Sequence, residues 1–251
     1  MAIALPAALF VAMVATAFLS GIFGMAGGLV LMGILLALLP LPAAMVLHAV
    51  TQMASNGWRA WLWRRHIRWS TAGWYVSGCL ATLGAWTLVS YVPDKPVAML
   101  LLGVTPFMVR AIPERFMPAA LTRVQTVASG VVCMSLLLLT GVTGPLLDTL
   151  FLRTGMDRRD IVATKAFCQI FGHLLKLVYF GALIEQAGAL DPVLAGLGIA
   201  ASLIGTSLGK TVLDRLSDAQ FRRWSNHIIT LICAYFIGHG LLLLAAGAGY
   251  V

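Results

Sequence analysis

Charge is scarce in this 251-residue chain. Asp, Glu, Lys and Arg together make only 10% of it, against about a quarter in a soluble domain. Hydrophobic residues make 60%, and the mean hydropathy is +0.93. A soluble, disordered or fibrous protein is excluded, since no disordered chain is this apolar and no Gly-X-Y or heptad run is present. The short alternating strands of an outer-membrane barrel are also missing. The apolar segments are instead continuous blocks of about 15 to 22 residues, the length of membrane-crossing helices. No Lys or Arg precedes Arg59, so the N-terminus lacks the basic region of a signal peptide despite Ala15-Thr16-Ala17. It reads as a mature membrane segment.

Metal and redox signals are missing too. Cys79, Cys133, Cys168 and Cys233 all lie inside apolar blocks, with no CxxC and no clustered His. They read as small buried apolar residues. No metal, disulfide or cofactor is expected. No Walker motif or HExxH is present either.

The apolar blocks that are present have a two-part order. Ile3 to Ser20 runs into Gly21-Ile22-Phe23-Gly24-Met25-Ala26-Gly27-Gly28, and a short piece then reaches Leu39. Spans follow at Ala43 to Trp63, Thr71 to Val92 and Val97 to Val109, the last holding Pro106. Val124 to Leu139 then runs into Thr140-Gly141-Val142-Thr143-Gly144-Pro145, with a second short piece to Leu152. Ile161 to Ile184, Pro192 to Leu208 and His227 to Ala248 complete the set. Each half therefore opens with a glycine-broken block, continues with a short helix and ends with three spans. Within the spans Thr51 falls on Thr164, Gln52 on Lys165, Ser55 on Cys168 and Asn56 on Gln169. The sequence is read as two repeats, 1–115 and 116–251.

The net charge of +8 points to loop placement rather than to nucleic acid. Thirteen of the 17 Lys and Arg sit in four loops: Arg64, Arg65, Arg68; Arg110, Arg115, Arg123; Arg153, Arg158, Arg159; and Lys210, Arg215, Arg222, Arg223. The loop at Glu185 to Asp191 holds no base. A strict zigzag cannot put all four basic loops on one side. Re-entrant hairpins, entering and leaving by one face, can. The expected fold class is an all-α polytopic membrane protein. It has two inverted repeats, each a glycine-broken re-entrant helical hairpin plus three transmembrane helices. Five tryptophans (Trp58, Trp61, Trp63, Trp69, Trp74) flank the first basic turn as an interfacial belt.

Two features carry candidate chemistry. The breaks, Gly24, Gly27 and Gly28 in one half and Gly141 and Gly144 in the other, place irregular backbone at membrane depth. That is tolerated only where protein or water covers it. The half-helices after them begin inside the membrane, and their free N–H groups suit an anion; Pro145 suits a first helical turn. The alternative use of such glycines is close helix packing. The second feature is a pair of polar stripes. Thr51, Gln52, Ser55, Asn56 and Arg59 share one helix face, and Thr164, Lys165, Cys168, Gln169, His173 and Lys176 share another. Intramembrane charge is costly and faces a cavity or a partner. Lys165 and Lys176 either bind an anion or snorkel to an interface. Asp148 either complements a helix dipole, pairs with Lys165 or Lys176, or couples a proton. His48, His173 and His239, each isolated, read as packing residues.

The glycine cluster Gly24-Met25-Ala26-Gly27-Gly28 after a long first helix, its echo at Gly141 to Pro145 and the following helix with Thr and Asn resemble the TauE/SafE family, also called the sulfite exporter or TSUP family. The resemblance covers essentially the whole chain. It implies a permease of the bacterial cytoplasmic (inner) membrane for sulfite, sulfoacetate, related organosulfur anions or small carboxylates. The partners expected are a small anionic substrate and the lipid bilayer, with a homodimer left open. The rival reading is an intramembrane hydrolase, with Ser55 and His173 on the matched stripes as its candidates and Ser129 without a nearby partner in sequence.

Overall fold

The computed structural model describes residues 4–23, 25–113, 122–152, 155–183, 191–213 and 218–248. Its elements are α1 (Ala4–Phe23), α2 (Met25–Leu38), α3 (Leu41–Leu62), α4 (Trp69–Val89), α5 (Lys95–Ala111), α6 (Arg123–Thr140), α7 (Gly144–Leu152), α8 (Arg158–Val178), α9 (Pro192–Leu213) and α10 (Asp218–Ala248). A 3-10 turn at Arg64–His66 follows α3, and a π-helical turn at Tyr179–Leu183 extends α8. No strand occurs among the described residues. The all-helical membrane class expected from composition is therefore the observed one.

Among the described residues, four stretches are long and apolar enough to cross a bilayer: Arg123–Thr140, Arg159–Ala182, Pro192–Gly209 and Asn226–Ala246. At 22 and 21 residues, α3 and α4 also have the length, but polar side chains dilute them. Pro106, in the Val97 to Val109 block, sits inside α5 without ending it. Outward faces stay apolar and uncovered, as at Leu88 (89% exposed), Val124 (78%) and Leu231 (71%). Lipid is the solvent such faces require.

Both glycine-broken blocks turn back on themselves. Gly27 of α2 lies against Thr16 and Ser20 of α1; in one continuous helix, residues 16 and 27 would be about 16 Å apart. In the second block, Arg123 at the start of α6 lies 5.6 Å from the Trp74 ring near the start of α4. Asp160 at the start of α8 bonds Arg68 just before α4. So α6 leaves that end and α7 returns to it. The arms are unequal. With 20 and 18 residues, α1 and α6 reach roughly 27 to 30 Å, most of a hydrocarbon layer. With 14 and nine residues, α2 and α7 go only part of the way back.

The described basic segments gather at one end. The Arg68 Nε donates to Asp160 Oδ2 at 2.6 Å, and His66 Nδ1 lies 3.1 Å from Oδ1. The Arg159 guanidinium sits 5.8 Å from the Trp63 ring, and Arg110 donates to Asn226 and Thr230 early in α10. The five tryptophans of the expected belt are exposed at this end. At the other end Lys95 Nζ donates to Leu39 O and Tyr179 OH to Tyr91 O. Arg115, Arg153, Arg215 and Glu185 lie outside the described residues.

Helix pairing crosses the midpoint of the chain. The main partner of α1 is α9, of α4 is α6, of α3 is α8 and of α5 is α10. Small residues let these backbones approach. Gly205 and Gly209 lie on Val14, Phe18 and Gly21, and Gly78 and Gly130 lie on Val127 and Tyr75. The central pair, α3 with α8, brings the two polar stripes together.

Candidate functional site

A polar cavity sits where the two hairpins meet α3 and α8. From the hairpins come Gly28, Val142, Thr143 and Gly144, with Ser20 from α1. His48, Gln52, Asn56 and Arg59 come from α3, and Lys165, Gln169 and His173 from α8. Gln52 is eleven residues into the 22-residue α3, so the cavity is near the middle of a helix about 33 Å long. Its free volume is small, about 20 Å³, room for a water or two.

The stripes divide by neighbour. Gln52 and its repeat match Lys165 both line the cavity, as do Asn56 and its match Gln169. The matched threonines turn away. Thr51 donates to His48 O at 2.8 Å and packs against Gly198 of α9. Thr164 accepts from the Arg68 N–H at 2.9 Å, just before α4. Ser55 and Cys168 follow the same division: Ser55 bonds Thr206 of α9 at 3.0 Å, and Cys168 is buried in the apolar core.

The glycines divide as well. Gly28 faces the cavity, and a Cβ there would lie 3.1 Å from Gln52 Oε1. Gly27 does not line it. A Cβ there would collide with the Thr16 carbonyl and the Ser20 amide, so Gly27 serves helix approach rather than substrate space. Gly24 lies outside the described residues. Gly144 lines the cavity at the start of α7, where the first N–H groups have no carbonyl ahead of them in the helix. Gly141 is in the left-handed region, φ +80°, which a side chain would strain. Its flank is filled by Met32 of α2 and Met45 of α3.

A continuous hydrogen-bonded chain joins the two breaks. His48 Nε2 lies 2.9 Å from Gly28 O. A carbonyl only accepts, so Nε2 carries the hydrogen and Nδ1 is left as an acceptor. Lys176 Nζ, 3.0 Å from Nδ1, fills that role and also donates to Gly141 O at 3.1 Å. Lys176 is 0% and His48 1% exposed. Lys176 therefore stands behind the cavity wall rather than in it. The histidines read as packing residues are partly that and partly more. His48 and His173 line the cavity with ring centroids 5.5 Å apart, and the buried Nδ1 of His173 has no hydrogen-bond partner. His239 stacks on Tyr235 away from the cavity.

Lys165 forms an ion pair with Asp148 of α7, each side chain about 15% exposed. This is one of the two lysine partners expected for Asp148, and it shows that Lys165 does not snorkel. Arg59, the last residue of the first stripe, reaches the cavity and donates to Asn56 Oδ1 at 3.4 Å. Helical spacing places it on that face. Ser20 gave no signal, because Thr16 is the one other polar side chain of the apolar α1. Among the described residues, no group of three or more His, Cys, Asp or Glu could hold a metal.

Cationic donors and open backbone at membrane depth, reached by two folded-back hairpins, define a polytopic helical membrane protein built around a buried polar site. The chain belongs to the sulfite exporter TauE/SafE family: the family's model matches residues 8–236. This is a family of membrane transporters, and the chain is a multi-pass member of it. Neither the curated proteins nor the solved structures contain a match.

Proposed function

We propose that the protein is a secondary transporter of a small sulfur oxyanion or sulfonate such as sulfite, in the bacterial inner membrane. The observation that carries this reading is the convergence of Arg59 and Lys165 with both hairpin breaks on one cavity. The backbone N–H of Gly144, with others of the first turn of α7 beyond Pro145, would hold anion oxygens. Lys165 and Arg59 would supply charge, while Gln52, Asn56 and Gln169 would orient the ligand. Thr51, Thr164, Gly27, Gly141 and Lys176 would act behind them, fixing the helices and breaks that form the wall. Asp148 would take part through Lys165. The four basic segments would face the cytoplasm.

A cavity of about 20 Å³ is too small for a multi-atom anion without movement of its wall. That supports alternating access, in which the halves 1–115 and 116–251 rock as inverted repeats. The cross-pairing of α1 with α9 and α4 with α6 supports the repeat, because exchanging the halves maps one pair onto the other. A small carboxylate is the alternative substrate. A hydrolase is disfavoured: Ser55 bonds Thr206, and Ser129 bonds Gln125 O of its own helix.

The test is sulfite flux through sealed proteoliposomes, run against sulfate, sulfoacetate and acetate. Sulfite or sulfoacetate should move and remain chemically intact. Movement of acetate alone would transfer the assignment to carboxylates, and consumption of ligand without a sealed membrane would make the protein an enzyme.

A further inference from the structure

The proposed transport leaves one charge unused. Asp148 sits on α7, four residues beyond Gly144, and its carboxylate is engaged by Lys165, whose side chain also lines the cavity. Lys165 cannot offer the same N–H to two anions. The pair is shielded from water, each side chain about 15% exposed, so breaking it without a replacement leaves a poorly solvated charge. The other cation on the cavity wall, Arg59, donates to the amide oxygen of Asn56 and lies within electrostatic reach of Asp148. The unpartnered, buried Nδ1 of His173 is a second sign that the site is unsatisfied without a ligand.

We propose that Asp148 is a built-in counter-anion for the transport site: it holds Lys165 while the site is empty, the incoming anion displaces it, and its return to Lys165 expels the anion. The inference rests on the transporter reading above and adds a role to that site. Three consequences follow. The empty site keeps its lysine neutralised, so one cation fewer stands open at membrane depth when it changes orientation. Anion affinity is held down, because binding must break an existing ion pair, and a tightly held anion would leave slowly. Finally, Asp148 is carried by the second hairpin and Lys165 by α8. Exchange of partners therefore loosens α7 from α8 in the loaded state alone.

The test measures sulfite binding by calorimetry and sulfite flux in proteoliposomes, for the parent and Asp148→Asn. The variant should bind sulfite more tightly, by about tenfold, the scale of one charge-assisted hydrogen bond. It should also move sulfite more slowly at saturation. A purely structural Asp148 would instead give weaker or unchanged binding, and that result overturns the proposal. Should the asparagine variant fold poorly, an infrared difference spectrum of the parent decides. Adding sulfite should shift a carboxylate stretch as Asp148 leaves Lys165, and a spectrum without such a shift overturns the proposal. A parent that binds neither sulfite nor sulfoacetate overturns the transporter reading itself, and this one with it.

Discussion

At the first hairpin the chain reverses between α1 and α2, and Gly27 rests on the backbone of α1. At the second, three residues separate α6 from α7, and side chains hold them. The Thr140 hydroxyl donates to Leu136 O or Val142 O and accepts from the Val142 N–H at 3.2 Å. Lys176 caps Gly141 O, and Asp148 ties α7 to α8 through Lys165. The first hairpin is thus held mainly by close backbone contact, with His48 on Gly28 O, and the second mainly by polar side chains. The lesson concerns where change is tolerated. A fit between backbones admits no added atom, whereas a polar tether can exchange one partner for another. The first hairpin suits a wall and the second a moving part.

The largest expected effect tests the wall. Gly27→Ala should cost about 3 kcal/mol or more, since its methyl meets backbone rather than a flexible tip. Folded yield and melting temperature would read it. A well-folded variant would remove the contrast between the hairpins. Next is the tether. Thr140→Val keeps the shape but strips the hydroxyl from a fully buried site, leaving Val142 unpartnered at a cost of about 1 to 3 kcal/mol. Denaturation in detergent would measure it, and a neutral result would mean that water replaces the hydroxyl. Lys165→Gln keeps a donor but loses the charge. Sulfite affinity should fall roughly tenfold, with melting changed less than by Gly27→Ala.

Gly28→Ala gives the sharpest view for the smallest change. Its methyl would meet the Gln52 amide at 3.1 Å, a side chain able to yield. Helix propensity favours alanine by up to about 1 kcal/mol. Stability should hold or rise while the sulfite KM increases a few-fold. Neighbouring glycines would then give opposite results, one in folding and one in transport. Last comes the basic end. Asp160→Asn removes the carboxylate charge shared by Arg68 and His66. With Arg68 61% exposed, the loss should stay within about 1 kcal/mol.

Much of this plan could be read before any coordinates. Composition gave helices in a membrane, the glycine clusters marked both reversals, and base placement anticipated that the described basic segments share one end. Helical spacing picked out the faces of α3 and α8 that meet. It could not say which stripe residues sit at the centre of that face and which at its edge. Thr51 and Thr164 sit at the edges because α9 and α4 flank the central pair, a fact of packing without a local signature. Gly27 and Gly28 are adjacent in sequence, yet about 100° of helical rotation puts one on α1 and the other on the cavity. His48 and Lys176 meet across 128 positions. Each alone looks like a packing histidine or a snorkelling lysine, and only the pairing of α3 with α8 makes them a link.

The cross-pairing of helices also bears on how such a chain could have arisen. Neither stretch, 1–115 nor 116–251, keeps its own partners: α1 and α4 of the first close on α9 and α6 of the second. A single half would leave glycine seams such as Gly78 and Gly205 bare to lipid. On the inverted-repeat proposal, an ancestor half this long would have needed a second copy inserted upside down beside it, and joining two such copies in one gene would have fixed that opposite insertion permanently. The same interlock means that a chain nicked between its halves should still assemble, while either fragment expressed alone should be cleared as an orphan subunit.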